Sequence, residues 1–127
     1  MAKLTLKLLD ETFAIHSLAV NSPLPQAVLD APIYFIAKTY EEVSIVAPEH
    51  VKINSDDVEP GWQALEVVGP LDFTLTGILA SISTILANAK ISIFAISTFD
   101  TDYILVKREN IDNAISVLKN NDYQVIQ

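Results

Sequence analysis

Gly69-Pro70-Leu71-Asp72-Phe73 at one end, and Ser97-Thr98-Phe99-Asp100-Thr101-Asp102 at the other, bound the stretch whose pattern decides the fold. The first segment is a turn carrying Gly and Pro, and the second is a turn dense in hydroxyls and carboxylates. Between them Ile78, Leu79, Ile82, Ile85 and Leu86 recur at i, i+1, i+4, i+7 and i+8, the single apolar stripe of a helix that packs on a sheet. Asp72 or Thr74 can cap the first amides of that helix. Lys90 to Thr98 is apolar and β-rich, Asp102 to Lys107 is a second such run, and the short connection predicts a hairpin. The two turns are expected to meet in space and enclose a small-molecule site.

Working outward, Trp62 to Val68 reads as the strand before the first turn. Ile111, Ala114, Ile115 and Leu118 make a second amphipathic helix that stops at Asn120-Asn121, and Tyr123 to Ile126 is a last strand. The order β-α-β-β-α-β predicts an α+β fold of the ferredoxin-like kind, two helices on one face of a four-stranded antiparallel sheet.

Towards the N-terminus, residues 3–9 alternate, with Leu4, Leu6 and Leu8 set against Lys3, Thr5 and Lys7, as in a half-buried strand. Asp10-Glu11 reads as its turn and Phe13 to Val20 as its hairpin partner. Two prolines in Asn21-Ser22-Pro23-Leu24-Pro25 cannot donate to a sheet but suit a first helical turn, so a short helix is predicted over Gln26 to Leu29. Ile33 to Ala37 and Val43 to Ala47 form a second predicted hairpin around Thr39 to Glu42. Pro48 to Gly61 is polar and ends in Pro60-Gly61 punctuation, which predicts a seam. The expected organisation is a degenerate unit over residues 1–60 and a complete one over residues 61–127, with Trp62 packing the halves together.

Composition narrows the function. The 127 residues suffice for one core without staples, and half of them are apolar, as in a globular chain. A net charge of −8 repels nucleic acid and anionic membrane surfaces at long range. There is no Cys, hence no disulfide framework, thiolate metal site or thiol nucleophile, which suits a reducing cytoplasm. Residues 1–11 are a poor signal peptide, and the run from Gly77 to Ala89 is too short and polar to span a bilayer. His16 and His50 lack metal-ligand spacing and read as structural or surface residues. Ser55-Asp56-Asp57-Val58-Glu59 lacks the spaced ligands and central Gly of a calcium loop and reads as a solvated linker. No phosphate-cradling loop, dinucleotide fingerprint or nucleophile elbow occurs, so no cofactor and no catalytic residue is expected.

Gly69-Pro70-Leu71-Asp72-Phe73-x-x-x-Gly77-Ile78, followed by Ile93-x-x-Ile96-Ser97-Thr98-Phe99-x-Thr101-Asp102-Tyr103-Ile104-Leu105-Val106, resembles the ACT domain. Within that family it resembles the tandem ACT proteins related to aspartate kinase regulatory domains and cytosolic arginine sensors. The match is close from Trp62 to Gln127 and looser over residues 1–60, where it rests on layout. The resemblance implies a cytoplasmic regulatory module that binds an amino acid where two ACT units meet, as a homodimer, with a partner enzyme as a possible target. It implies ligand contacts at Gly69, Leu71, Asp72, Gly77 and Ile78, and at Ser97, Thr98, Phe99, Asp100 and Asp102.

Elementary chemistry fits those positions. A helix N-terminus presents unpaired N–H groups and partial positive charge to an α-carboxylate. Asp100 or Asp102 can meet an α-ammonium or a basic side chain, and Ser97 and Thr98 offer adaptable donors and acceptors. Each position also has a plainer explanation. Asp72 can be only an N-cap, and Gly77 can serve tight helix–sheet packing instead of close ligand approach. Composition alone makes Asp100-Thr101-Asp102 a solvated hairpin turn, which the resemblance reverses, and makes Phe99 a core or interface residue. A ligand-free interaction module and a small ferredoxin-like enzyme are the alternatives from other functional classes, since fold alone does not decide function.

Overall fold

Alternating apolar residues near the N-terminus build a longer strand than their pattern predicts. In the computed structural model, which describes residues 4–68 and 77–127, β1 runs without a break over Thr5–Leu18. The expected turn at Asp10-Glu11 is therefore corrected. A two-residue hairpin loop needs positive φ, which Gly, Asn or Asp-Gly supply and Asp-Glu does not. The strand continues instead, pairing Thr5 to Lys7 in parallel with β7 (Gln124–Ile126) and Phe13 to Leu18 antiparallel with β3 (Val43–Pro48).

The remaining elements are α1 (Gln26–Leu29), β2 (Phe35–Lys38), β4 (Asp57–Val67), α2 (Ile78–Asn88), β5 (Ile93–Ser97), β6 (Asp102–Lys107), a 3₁₀ turn at Arg108–Asn110 and α3 (Ile111–Asn120). The chain divides into two compact units, one of Glu11–Trp62 and the other of Met1–Asp10 together with Gln63–Gln127. In the first of these, β2 and β3 form the predicted hairpin, with Phe35 opposite Val46 and Lys38 opposite Val43. Val28 of α1 packs with Leu18, Val43, Ile45, Ala47 and Val51 to form its core.

In the second unit β4, α2, β5, β6, α3 and β7 follow the ferredoxin-like order. The strand sequence across its sheet is β7–β1–β4–β6–β5, so the sheet exceeds the four strands expected from the C-terminal half alone. The start of β1 lies between the first and last strands of the motif, and Val68 N–H donates to the Thr5 carbonyl at 2.9 Å. Leu6 is fully buried there with Leu65, Val67, Ile104 and Val106, beneath Ile82 and Leu86 of α2 and Ala114 and Leu118 of α3. Each fully buried aliphatic side chain of this kind contributes about 1.5–3 kcal/mol by leaving water. The predicted stripe on α2 is the observed one, with Ile78, Leu79 and Ile85 packed at its margin.

β4 also departs from expectation, because it passes through Pro60-Gly61 instead of starting after it. Pro60 has no N–H, Gly61 takes φ +83°, and its N–H donates to the Glu49 carboxylate at 2.6 Å instead of to a ladder partner. A positive-φ glycine absorbed in this way is the means by which a strand bulges without ending. Asp57-Val58-Glu59 consequently belong to the exposed start of a strand and not to a linker.

Both long helices stop by the same device. Lys90 (φ 61°) and Asp122 (φ 73°) adopt the left-handed conformation just past the ends of α2 and α3. Ile91 N–H then donates to the Leu86 carbonyl at 2.9 Å and Lys90 N–H to Ala87 at 2.9 Å, while Tyr123 and Asp122 repeat the pair onto Leu118 and Lys119 at 3.1 Å each. These are Schellman caps, normally built on glycine. The left-handed turn at Lys90 delays β5 to Ile93, three residues later than its β-rich sequence begins.

Replacing Lys90 by Gly should relieve the left-handed strain and raise stability by about 0.5–1 kcal/mol, read as a higher urea midpoint at unchanged slope. A pH dependence follows from His16, which is buried and hydrogen-bonded through Nδ1 to Ser55 Oγ at 2.8 Å. Burial holds its pKa below the ordinary 6.5. Below about pH 6.5 the unfolded chain binds more protons than the folded one, so stability falls as pH drops from that value through the lower folded pKa. Urea titrations at pH 7.5 and 5.5 should show a loss in the wild type that His16→Gln lacks.

Candidate functional site

The connection from β4 through α2 to β5 determines which chain ends lie together. β5 and β6 pair antiparallel with Ser97 opposite Asp102, Ala95 opposite Ile104 and Ile93 opposite Val106. Ile93, Ile104 and Val106 belong to the helix-covered core, so strand alternation puts Ser97 and Asp102 on that same face, at its open end. Ser97 Oγ donates to Asp102 Oδ1 at 2.6 Å. A carboxylate accepts several hydrogen bonds, so this single contact orients Asp102 without exhausting it.

The turn between these strands is closely bonded. Thr98 N–H donates to the Thr101 carbonyl at 2.8 Å, and Thr98 Oγ1 both donates to that carbonyl at 3.1 Å and accepts from Thr101 N–H at 3.3 Å. Phe99 and Asp100 form the tip and are exposed. Phe99 is 80% exposed, which corrects the core half of the core-or-interface expectation, because a residue at a two-residue turn tip projects beyond the sheet. Thr101 is only 6% exposed, and its hydroxyl donates to the carbonyl of Val67, the last residue of β4.

That contact brings the Ser97–Asp102 turn beside the exit of β4, the point from which the Gly69–Phe73 segment departs. Gly69, Leu71 and Asp72 lie outside the described residues, as does Thr74. Gly77 and Ile78 are described, and they begin α2. Gly77 occupies the N-cap position at φ +79°, ψ 0°, without a side-chain cap bond, and its carbonyl accepts from Ser81 N–H at 2.9 Å. Tight helix–sheet packing is not what this glycine serves: it precedes the helix instead of sitting within its first turns, and a Cβ there would meet nothing within 4 Å. Its positive φ is what the backbone requires of this position.

Negative charge gathers near the turn. Tyr103, next along β6, donates its hydroxyl to Glu66 at 3.4 Å. Its pKa is raised by burial first, then by the charge and hydrogen bond of Glu66 and by the charge of Asp100. The phenol therefore stays protonated, with Glu66 and Asp100 as its negative neighbours. Among the described residues no group of His, Cys, Asp and Glu is placed to hold a metal ion. No helix of the described residues is long and apolar enough to cross a membrane. Thr101 is the residue that sequence reasoning passed over; the available signal was a threonine between two aspartates, opposite the end of an apolar strand.

The fold has counterparts in known proteins. The family model described as the ACT domain matches residues 57–120. The chain belongs to the ACT domain family. It is 33% identical over 122 residues to the human protein named Cytosolic arginine sensor for mTORC1 subunit 1, covering 88% of this chain and 37% of that relative. The chain thus spans little more than a third of the curated relative. A crystal structure of an Agrobacterium tumefaciens protein superposes at TM-score 0.90 with 28% identity, covering 99% of this chain and 94% of the other. The aspartate kinase of Clostridium acetobutylicum, described as an allosteric enzyme, superposes at TM-score 0.66 with 15% identity over 89% of this chain and 33% of that one, a likeness of fold.

Gly77→Ala should cost about 1–2 kcal/mol in urea unfolding, because a Cβ disfavours positive φ even where space is open. A comparable loss in Gly77→Val with no loss in Gly77→Ala would place the cause in packing instead.

Proposed function

We propose that this chain is a non-enzymatic regulatory module that binds an amino acid at the end of its ACT unit formed by the β4 exit, the start of α2 and the Ser97–Asp102 turn. The observation that carries the proposal is the family match over residues 57–120, which contains every candidate contact from Gly69 to Asp102. Gly69, Leu71, Asp72, Gly77 and Ile78 take the carboxylate side. Ser97, Thr98, Phe99, Asp100 and Asp102 take the ammonium or a basic side chain. The carboxylates of Asp100 and Asp102 on that turn support a cationic group there, and the name of the human relative makes arginine the first amino acid to test.

The unit Glu11–Trp62 serves in this proposal as a reduced ACT-like copy, and the working form is a homodimer in the cytoplasm acting on a partner enzyme. Support for the dimer comes from β5, which ends the strand order and carries no charged residue from Ile91 to Thr98. Native sheets protect such edges with charge unless something pairs with them.

A thermal-shift screen of the twenty amino acids, followed by calorimetric titration, tests the proposal. A ligand at about 100 times its Kd should stabilise the fold by about 2.7 kcal/mol, a rise of several degrees in Tm. Asp102→Ala should bind at least about tenfold more weakly with an unchanged circular dichroism spectrum. Saturable binding by none of the twenty would sink the amino-acid assignment, and unaltered affinity in Asp102→Ala would remove that residue from the site.

A further inference from the structure

Ser97 to Asp100 of the β5–β6 turn are exposed and Asp102 is half-buried, so a ligand site here needs something that keeps their hydroxyls and carboxylates in place before a ligand arrives. Within the turn Thr98 supplies internal bonds, but those bonds fix only its shape. They do not fix where the turn lies relative to the rest of the unit. Thr101 does both, since its amide and carbonyl close the turn while its buried hydroxyl donates to the Val67 carbonyl. Thr101 and His16 are the buried polar residues among those described, and Thr101 is the one at this end of the ACT unit.

Resting on the amino-acid-binding proposal, we propose that Thr101 is the positioning residue of the site: β4 and β6 are ladder neighbours, and the Thr101 hydroxyl bond to Val67 extends that tie past the end of the ladder, holding the Ser97–Asp102 turn against the β4 exit and through it setting ligand affinity. Thr101 touches no ligand in this scheme. The residue is buried and its hydroxyl is spent on Val67, so the side chain is withdrawn from solvent. The carbonyl it binds belongs to the last strand residue before the Gly69 segment. The bond therefore ties the turn to the β4 exit, and preorganisation of this kind lowers the ordering cost paid on binding.

Thr101→Val keeps the shape and removes the donor, whereas Thr101→Ser keeps the donor and removes the methyl. Amide hydrogen exchange on the full chain without ligand should show Thr98 and Thr101 exchanging at least about tenfold faster in Thr101→Val and within about twofold of wild type in Thr101→Ser. With the twenty L-amino acids as probes, any amino acid bound by the wild type should bind at least about tenfold more weakly to Thr101→Val and near normally to Thr101→Ser. A purely structural role would not give rescue of affinity by serine. Exchange and affinity within about twofold of wild type in Thr101→Val would overturn the proposal. Should Thr101→Val fail to fold, rapid exchange of the turn amides in a folded Thr101→Ser would overturn it, and wild-type protection there would support it. A wild-type chain that binds none of the probes fails the amino-acid assignment and the affinity half of the proposal with it. The exchange measurement then decides the Val67 anchor alone.

Discussion

One face of the sheet in the ACT unit is apolar and must be covered, and the arrangement of that unit follows from this requirement. Leu6, Leu65, Val67, Ile104 and Val106 lie on it, and α2 and α3 cover it with Ile82, Leu86, Ala114 and Leu118. A helix that covers a sheet face returns the chain to the end at which the previous strand began. β5 must then run in the direction of β4, and its far end must lie level with the end of β4. The buried hydroxyl of Thr101 on the Val67 carbonyl is the local consequence of this. The Ser97–Asp102 turn lies beside the exit of β4 for the same reason.

Local backbone chemistry decides where the elements stop. α2 and α3 end in equivalent caps on Lys90 and Asp122, although neither is glycine, because Leu86 with Ile91 and Leu118 with Tyr123 bury their apolar groups across the cap. Burial of those pairs outweighs roughly 1 kcal/mol of left-handed strain. Glycine is used where no such pairing operates. Gly77 turns the chain into α2, and Gly61 lets β4 pass a proline with the help of the Glu49 carboxylate.

The family assignment and the geometry support each other without being the same statement. The family match spans residues 57–120, whereas the sheet of the ACT unit also takes in the start of β1, which lies outside that span. Leu6 completes the core from a distance in sequence that no motif covers. Residue types at the turn also acquire different meanings in place: Phe99 is exposed, Asp102 is oriented by Ser97, and Thr101 between them is buried.

Resemblance to the ACT domain supplied the residues from which a ligand site is proposed; by itself the sequence determined the order of helices and strands in the ACT unit, the stripe of α2 and the β5–β6 hairpin. Those features depend on periodicity and turn chemistry, which act between near neighbours. Only the tertiary structure decided that β1 continues past Asp10-Glu11, that β4 passes through Pro60-Gly61, that Leu6 joins the core of the C-terminal unit, and that Thr101 anchors the turn on Val67. In each case the partner lies far along the chain: Glu49 for Gly61, β3 and β7 for β1, and Val67 for Thr101. A hydrogen-bonding group satisfied by such a distant partner leaves no periodic trace in the local sequence.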